Sequence, residues 1–131
     1  MKNEMNNEMK KEMNDKLKEL FDKQEILQTR LKNIPFKNNK HKQEFININI
    51  LACLDELSES LRETRWKNPS YISCGWKTTQ EFNEENFKEE LIDLWHFVIN
   101  LSLASGMDSD ELFERFCKKN KVNHERQDKK Y

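Results

Sequence analysis

Glycine and proline are nearly absent from this chain, and their scarcity restricts the fold more than any other feature. Two glycines and two prolines in 131 residues leave few points at which the backbone must turn. Alternation of β-branched residues is limited to FININI at positions 45–50, which runs directly into the helical pattern of LACLDEL. We therefore expect this stretch to be helical as well. The sequence predicts an all-α fold.

Four helices are predicted from the three- and four-residue spacing of apolar side chains. They span about residues 1–34, 43–66, 83–106 and 109–122, with Asp108 or Ser109 as the last N-cap. The first ends before Pro35, and Gly106 is the natural end of the third. Residues 1–14 lack an apolar stripe and are expected to be a frayed polar extension. Mostly short links favour a compact four-helix bundle in one domain covering residues 1–131.

Composition argues against a membrane or secreted protein. Charged residues make up 36 % of the chain, and no apolar run approaches the roughly 18 residues that a membrane helix needs. The polar N-terminus is unlike a secretory signal. Cys53, Cys74 and Cys117 match no zinc or redox spacing, so we expect reduced thiols and a cytoplasmic location.

Two pairs of carboxylates are the main functional signal. Glu56 and Glu59 lie three residues apart in the second helix, and Glu90 and Asp93 repeat that spacing in the third. Residues three apart share a helical face, so antiparallel packing would bring four carboxylates together. Such a cluster needs a cation, and oxygen ligands suit Mg²⁺, or Mn²⁺ in its place. Solvated helix faces also carry such pairs, so spacing alone leaves both interpretations open.

The C-terminal segment is basic although the whole chain has a net charge of −1. From Arg115 onward there are seven lysine and arginine residues and only two acidic residues. This segment is either an anion-binding surface or a solvated helix end whose charges complement the helix macrodipole.

Four stretches of the chain resemble a known family. They are LFDKQEILQTRL at 20–31, DELSESLRETRWK at 55–67, EELIDLWHF at 89–97 and KKNKVNHERQDKKY at 118–131. Glu56-x-x-Glu59 followed by Glu90-x-x-Asp93 resembles the ExxE…ExxD signature of the MazG-like all-α nucleoside triphosphate pyrophosphohydrolases. More narrowly, the chain looks like the dimeric all-α dUTP diphosphatases. The resemblance covers residues from about 17 to 131.

The resemblance implies a function and a set of site residues. The expected reaction is Mg²⁺-dependent hydrolysis of dUTP to dUMP and pyrophosphate by a homodimer. Glu56, Glu59, Glu90 and Asp93 would bind the metal, and Glu56 would also orient or deprotonate the attacking water. The residues expected to bind the base are Gln24, Gln28, Trp66 and Phe97. The residues expected to bind the phosphates are Lys67, Lys119, Asn123, Arg126 and Tyr131.

The chain also departs from the family pattern, and two alternatives to the dUTP diphosphatase stay open. Gln28 stands where the family often has asparagine, Lys130 replaces the glycine of the tail motif, and an insertion before the last helix is missing. One alternative is a MazG-like pyrophosphohydrolase for dCTP or a modified dNTP. The other is a non-catalytic helical assembly module, which the polar first helix and the small size allow. Independently of these, the alternative interpretation of Trp66 and Phe97 is that they are ordinary core residues. We expect a nucleotide ligand, and neither membrane nor direct nucleic-acid binding.

Overall fold

The computed structural model describes residues 2–64, 66 and 81–129, with side chains at positions 7 and 8 and from 16 onward. In this part of the chain there are four helices and no strand. The helices are α1 (Lys2–Arg30), α2 (Asn39–Arg62), α3 (Glu84–Ala104) and α4 (Ser109–Asp128). The predicted all-α class is therefore confirmed, and FININI is part of α2. None of the described helices is both long enough and apolar enough to cross a bilayer.

Helix α1 ends earlier than Pro35 alone would require. Lys32 adopts a left-handed conformation, with a φ of 60°. Its N–H donates to the Thr29 carbonyl, and the Asn33 N–H donates to the Gln28 carbonyl, both at 3.0 Å. This is the Schellman pattern, in which a left-handed residue closes the helix. The predicted end near Ile34 was wrong. The residue that closes the helix is Lys32, and lysine, unlike glycine, does not indicate a left-handed conformation in a sequence.

Side-chain caps set the starts of the other helices. Asn38 accepts a hydrogen bond from the His41 N–H at 2.9 Å, so α2 begins four residues earlier than predicted. Asp108 accepts from the Glu111 N–H at 2.8 Å, which confirms it as the N-cap of α4. Asn83 accepts from the Asn86 N–H at 3.1 Å at the start of α3.

A glycine ends α3 as expected. Gly106 has a φ of +82°, and its N–H donates to the Leu103 carbonyl at 3.1 Å. The next N–H, from Met107, donates to the Ser102 carbonyl at 3.2 Å. The chain then turns directly into the Asp108 cap, so α3 and α4 are joined by a short link.

The chain divides into two compact units. The first contains α1 and α4, which pack against each other, and its buried apolar side chains include Phe21 and Ala104. The second runs from Asn38 to Leu101 and holds α2 and most of α3, with Phe45 and Ile99 buried. The four predicted carboxylates all belong to the second unit. A single domain over residues 1–131 stays a prediction.

Candidate metal centre

Two hydrogen bonds show that α2 and α3 run antiparallel. Near the C-terminal end of α2, the Glu63 carbonyl accepts from the Asn83 N–H at 2.9 Å. Towards the other end, Asn49 Oδ1 accepts from Asn100 Nδ2 at 2.9 Å. The middle of α2 therefore lies beside the middle of α3, and this is where the two carboxylate pairs lie.

The structure brings the predicted carboxylates together. Glu56, Glu90 and Asp93 each offer one oxygen, and these three oxygens lie within 4.8 Å of one another. Glu59, the fourth carboxylate, lies within reach of Glu90 and contributes to the raised pKa of both Glu56 and Glu90. Helical spacing places each pair on one face, and antiparallel pairing turns the two faces towards each other. Oxygens at this separation can share one divalent cation.

The cluster carries more negative charge than its surroundings offset. Burial, followed by the charges of Glu59 and Asp93, raises the pKa of Glu56 from 4.5 to about 7. Burial, then the hydrogen bond and charge of Glu59, also raises the pKa of Glu90. Without a cation, the cluster therefore holds a proton close to neutral pH.

One oxygen of the cluster has no hydrogen-bond partner among the described residues. Oε2 of Glu56 is buried and accepts no hydrogen bond from any described residue. A buried carboxylate oxygen in this condition is costly unless a proton or a cation satisfies it. Together with three convergent hard oxygen donors, this atom fits a Mg²⁺ or Mn²⁺ ion better than a softer metal.

Cys53 lies one turn before Glu56 but does not add a soft ligand. Burial, followed by the Glu56 charge, raises the pKa of the Cys53 thiol, and its sulfur is not among the ligand atoms that converge. Cys53 and Cys117 form no disulfide within the described part of the chain. The candidate centre is thus an oxygen site.

The residues predicted to bind the base lie in both units. Phe97 is half-buried on α3 one turn beyond Asp93, and Trp66, after α2, is 43 % exposed. Gln24 and Gln28 are buried on α1, where Gln28 Oε1 accepts from Asn33 Nδ2 at 2.8 Å. Phe97 and Trp66 belong to the second unit and the glutamines to the first. Their convergence on one base stays a prediction.

The described residues predicted to bind phosphate lie on α4. Lys119, Asn123 and Arg126 are all exposed. Arg126 lines a surface depression together with Val122, Glu125 and Lys129. The other two candidates, Lys67 and Tyr131, lie outside the described residues. The α4 side chains are therefore accessible to an anion in solution.

Sequence reasoning missed two buried residues on the helices that carry the centre, about two turns away from it. Asn49 and Asn100 are 4 % and 3 % exposed, and the hydrogen bond between them joins α2 to α3. A signal was present, because each lies seven residues from a carboxylate of the cluster, Glu56 and Asp93 respectively. Seven residues make two helical turns, so each asparagine shares the face of its carboxylate.

Comparison with known proteins identifies the family. A sequence model of the family described as dUTPase matches residues 16–108, which include all four carboxylates. This chain belongs to the dUTPase family. The dUTPase-family segment covers α2 and α3 completely and therefore includes the carboxylates of the candidate centre.

Several phage proteins are similar to this dUTPase-family chain. A dCTP pyrophosphatase of Enterobacteria phage T4 is 37 % identical over 90 residues, which are 63 % of this chain and 52 % of the relative. A dCTP pyrophosphatase of Enterobacteria phage LZ5 is 30 % identical over 143 residues, 89 % of this chain and 83 % of the relative. A T4 DNA replication protein is 34 % identical over 80 residues, 55 % of this chain and 20 % of that protein.

The chain thus spans about half the length of the T4 dCTP pyrophosphatase and a fifth of the T4 replication protein. No solved structure matches the chain significantly. The matches do not agree on a base, because the family is described as dUTPase whereas two of the relatives are named dCTP pyrophosphatase.

Proposed function

We propose that this protein hydrolyses a pyrimidine deoxynucleoside triphosphate to the monophosphate and pyrophosphate. The substrate that we propose first is dUTP. The observation that carries the proposal is the carboxylate cluster, with three oxygens within 4.8 Å of one another and a buried Glu56 Oε2 that has no partner in the described part of the chain. Membership of the dUTPase family supports the same chemistry.

The four carboxylates would hold the metal. Glu56, Glu59, Glu90 and Asp93 provide the oxygen ligands that Mg²⁺ prefers, with Mn²⁺ as a substitute. When bound, Mg²⁺ supplies Lewis-acid polarisation of the phosphate oxygens. Glu56 is the carboxylate to which we assign a second role, the orientation or deprotonation of the attacking water.

Side chains outside the cluster would bind the rest of the nucleotide. Lys119, Asn123 and Arg126 on α4 can donate hydrogen bonds to phosphate oxygens, and arginine can do so with two parallel bonds. Their positive charge would offset the charge that develops on the phosphates during hydrolysis. Phe97 and Trp66 offer aromatic faces on which a pyrimidine ring can stack.

Gln28 bears on the choice between uracil and cytosine. Its Oε1 already accepts from Asn33, so its Nε2 is the group that can donate to a carbonyl oxygen, such as O4 of uracil. Cytosine has an amino group at the same ring position, so two hydrogen-bond donors, this amino group and Gln28 Nε2, would face each other. A buried polar mismatch of this kind can discriminate strongly.

A second candidate substrate is dCTP. Two relatives, one of them matched over 83 % of its length, are named dCTP pyrophosphatase. Turnover of dCTP would keep the metal site and its chemistry and would change only the base contacts that we assign to Gln24 and Gln28.

The test is pyrophosphate release from dUTP, dCTP, dTTP, dATP, dGTP and UTP, each with Mg²⁺, with Mn²⁺ and with EDTA. We expect metal-dependent turnover of dUTP above all others. Preference for dCTP would select the second candidate. Absence of turnover for every nucleotide, in protein that is folded by circular dichroism, would favour the non-catalytic module.

We also propose that the protein is a homodimer. Ile50, Leu54, Leu57 and Leu61 follow the alternating four- and three-residue spacing of a helix–helix seam, yet they are 44–58 % exposed. An apolar row of this kind on a helix surface is typical of an interaction site. Light scattering should give twice the chain mass of 15.9 kDa, and Leu54→Glu should give the monomer. A monomeric wild type at micromolar concentration would refute the dimer.

A further inference from the structure

A buried amide pair joins the two helices that carry the carboxylates. Asn100 Nδ2 donates to Asn49 Oδ1 at 2.9 Å, and Asn49 Nδ2 donates to the Phe45 carbonyl at 2.8 Å. The Asn49 amide thus uses both of its polar atoms while only 4 % of the residue is exposed. Buried amides are costly without hydrogen bonds, so the pair strongly favours the alignment of α2 and α3 in which the two side chains meet.

That alignment is the one that assembles the carboxylate cluster. Asn49 precedes Glu56 by seven residues, and Asn100 follows Asp93 by seven. In antiparallel helices, equal offsets in opposite sequence directions correspond to the same distance along the axis, here about 10 Å. Placing Asn49 opposite Asn100 therefore also places Glu56 opposite Asp93.

Apolar packing specifies this alignment less sharply. Burial of apolar surface is non-directional, and three leucines in the middle of α2, Leu51, Leu54 and Leu57, are at least half exposed. A slip by one helical turn displaces a residue by about 5.4 Å, and apolar neighbours can repack after such a slip. The hydrogen bond between two amides cannot survive it.

We propose that Asn49 and Asn100 are positioning residues, which set the axial register of α2 against α3 and so hold Glu56 beside Glu90 and Asp93. The same slip would carry Glu56 away from oxygens that now lie within 4.8 Å of its own. A single buried asparagine is known to fix helix register in coiled coils at some cost in stability. The register itself is independent of the proposed hydrolysis; only its effect on metal binding rests on the proposed function.

The first test separates register from stability. In the double variant Asn49→Leu, Asn100→Leu, both amides are removed together, so neither is left unpaired and stability should be equal or higher. We expect its Mg²⁺ dissociation constant, measured by titration calorimetry, to rise at least about tenfold, a change of 1.4 kcal/mol in binding free energy at 25 °C. Asn47→Leu, at an exposed position of the same helix, should leave the constant within twofold. A double variant with the wild-type constant overturns the proposal.

The second test reads the register without a metal. Spin labels at Gln43 near the start of α2 and Glu85 near the start of α3, both exposed and at opposite ends of the antiparallel pair, are introduced after the three native cysteines are replaced by serine. Electron–electron double resonance should give one narrow distance in the parent. In the double leucine variant it should broaden or shift by about 5 Å, one helical turn. An unchanged distribution overturns the proposal, whatever the metal does.

The two measurements distinguish a failure of the register proposal from a failure of the proposed function. A parent that binds no Mg²⁺ would refute the metal site, while a shifted label distance would still support the register. If the leucine pair gives insoluble protein, Asn49→Ser, Asn100→Ser takes its place, because these hydroxyls are too short to meet. The same broadening is then expected, and its absence contradicts the proposal.

Discussion

Replacing Glu56 by glutamine should change stability in opposite directions with and without Mg²⁺. At pH 8 the metal-free protein holds Glu56 mainly ionised, because its raised pKa is about 7. The neutral amide removes the repulsion from Glu59 and Asp93 and offers a donor to Glu90. Metal-free Glu56→Gln should therefore melt at the same temperature as the wild type or above it.

Magnesium should reverse that order. A ligand at a hundred times its dissociation constant stabilises the native state by about 2.7 kcal/mol. For a chain of this length, each kcal/mol raises the melting temperature by about 4 °C, so the wild type should gain about 10 °C. Glu56→Gln loses the carboxylate whose buried Oε2 has no partner among the residues that the structure describes, and its melting temperature should rise little with Mg²⁺.

Scanning fluorimetry or calorimetry at pH 8, with Mg²⁺ and with EDTA, measures both effects. Asp55→Asn is the matched control, since Asp55 is the exposed neighbour of Glu56 in α2 and lies outside the cluster. It should keep the full Mg²⁺ gain. An equal gain in Glu56→Gln, or a clear loss of stability in its metal-free form, would refute the assignment of Glu56 as a metal ligand.

Three further perturbations test local features. Burial and the neighbouring charges raise the pKa of Glu56 from 4.5 to about 7, so between these pH values the native state binds a proton that the unfolded chain has released. The free energy of unfolding, measured by urea titration with EDTA, should therefore fall as pH rises from about 4.5 to 7. A rise over this range would contradict the shift. Gly106→Ala should lose about 1 kcal/mol through its φ of +82° alone, because an added Cβ meets no atom within 4 Å; no loss would exclude strain. Lys32→Gly, at a φ of 60°, should gain up to about 1 kcal/mol in the same unfolding assay, and a loss would argue against the left-handed cap.

Periodicity made the helices and the carboxylate cluster predictable. Glu56 with Glu59, and Glu90 with Asp93, share helical faces by spacing alone, and the two helices needed only to pack antiparallel to bring the pairs together. The ends at Asp108 and Gly106 followed from residue types with strong conformational preferences. These features depend on local sequence and on one simple packing rule.

Other features depend on tertiary surroundings and escaped prediction. Asn49 and Asn100 are buried because they form a hydrogen bond with each other between α2 and α3. The sequence pattern of a single helix does not distinguish a buried asparagine from a solvated one. The end of α1 at Arg30 depends on Lys32 entering a conformation that lysine rarely adopts. The raised pKa of Glu56 likewise requires neighbours from both helices.

The most direct test of the proposed pyrophosphohydrolase activity is identification of the products. dUTP and dCTP are incubated separately with the protein and Mg²⁺, and the phosphorus species are followed by ³¹P NMR. We expect the monophosphate and pyrophosphate in equal amounts, and neither with Glu56→Gln. Release of the diphosphate and inorganic phosphate, or turnover that survives both Glu56→Gln and EDTA, would contradict a metal-dependent pyrophosphohydrolase built on these four carboxylates.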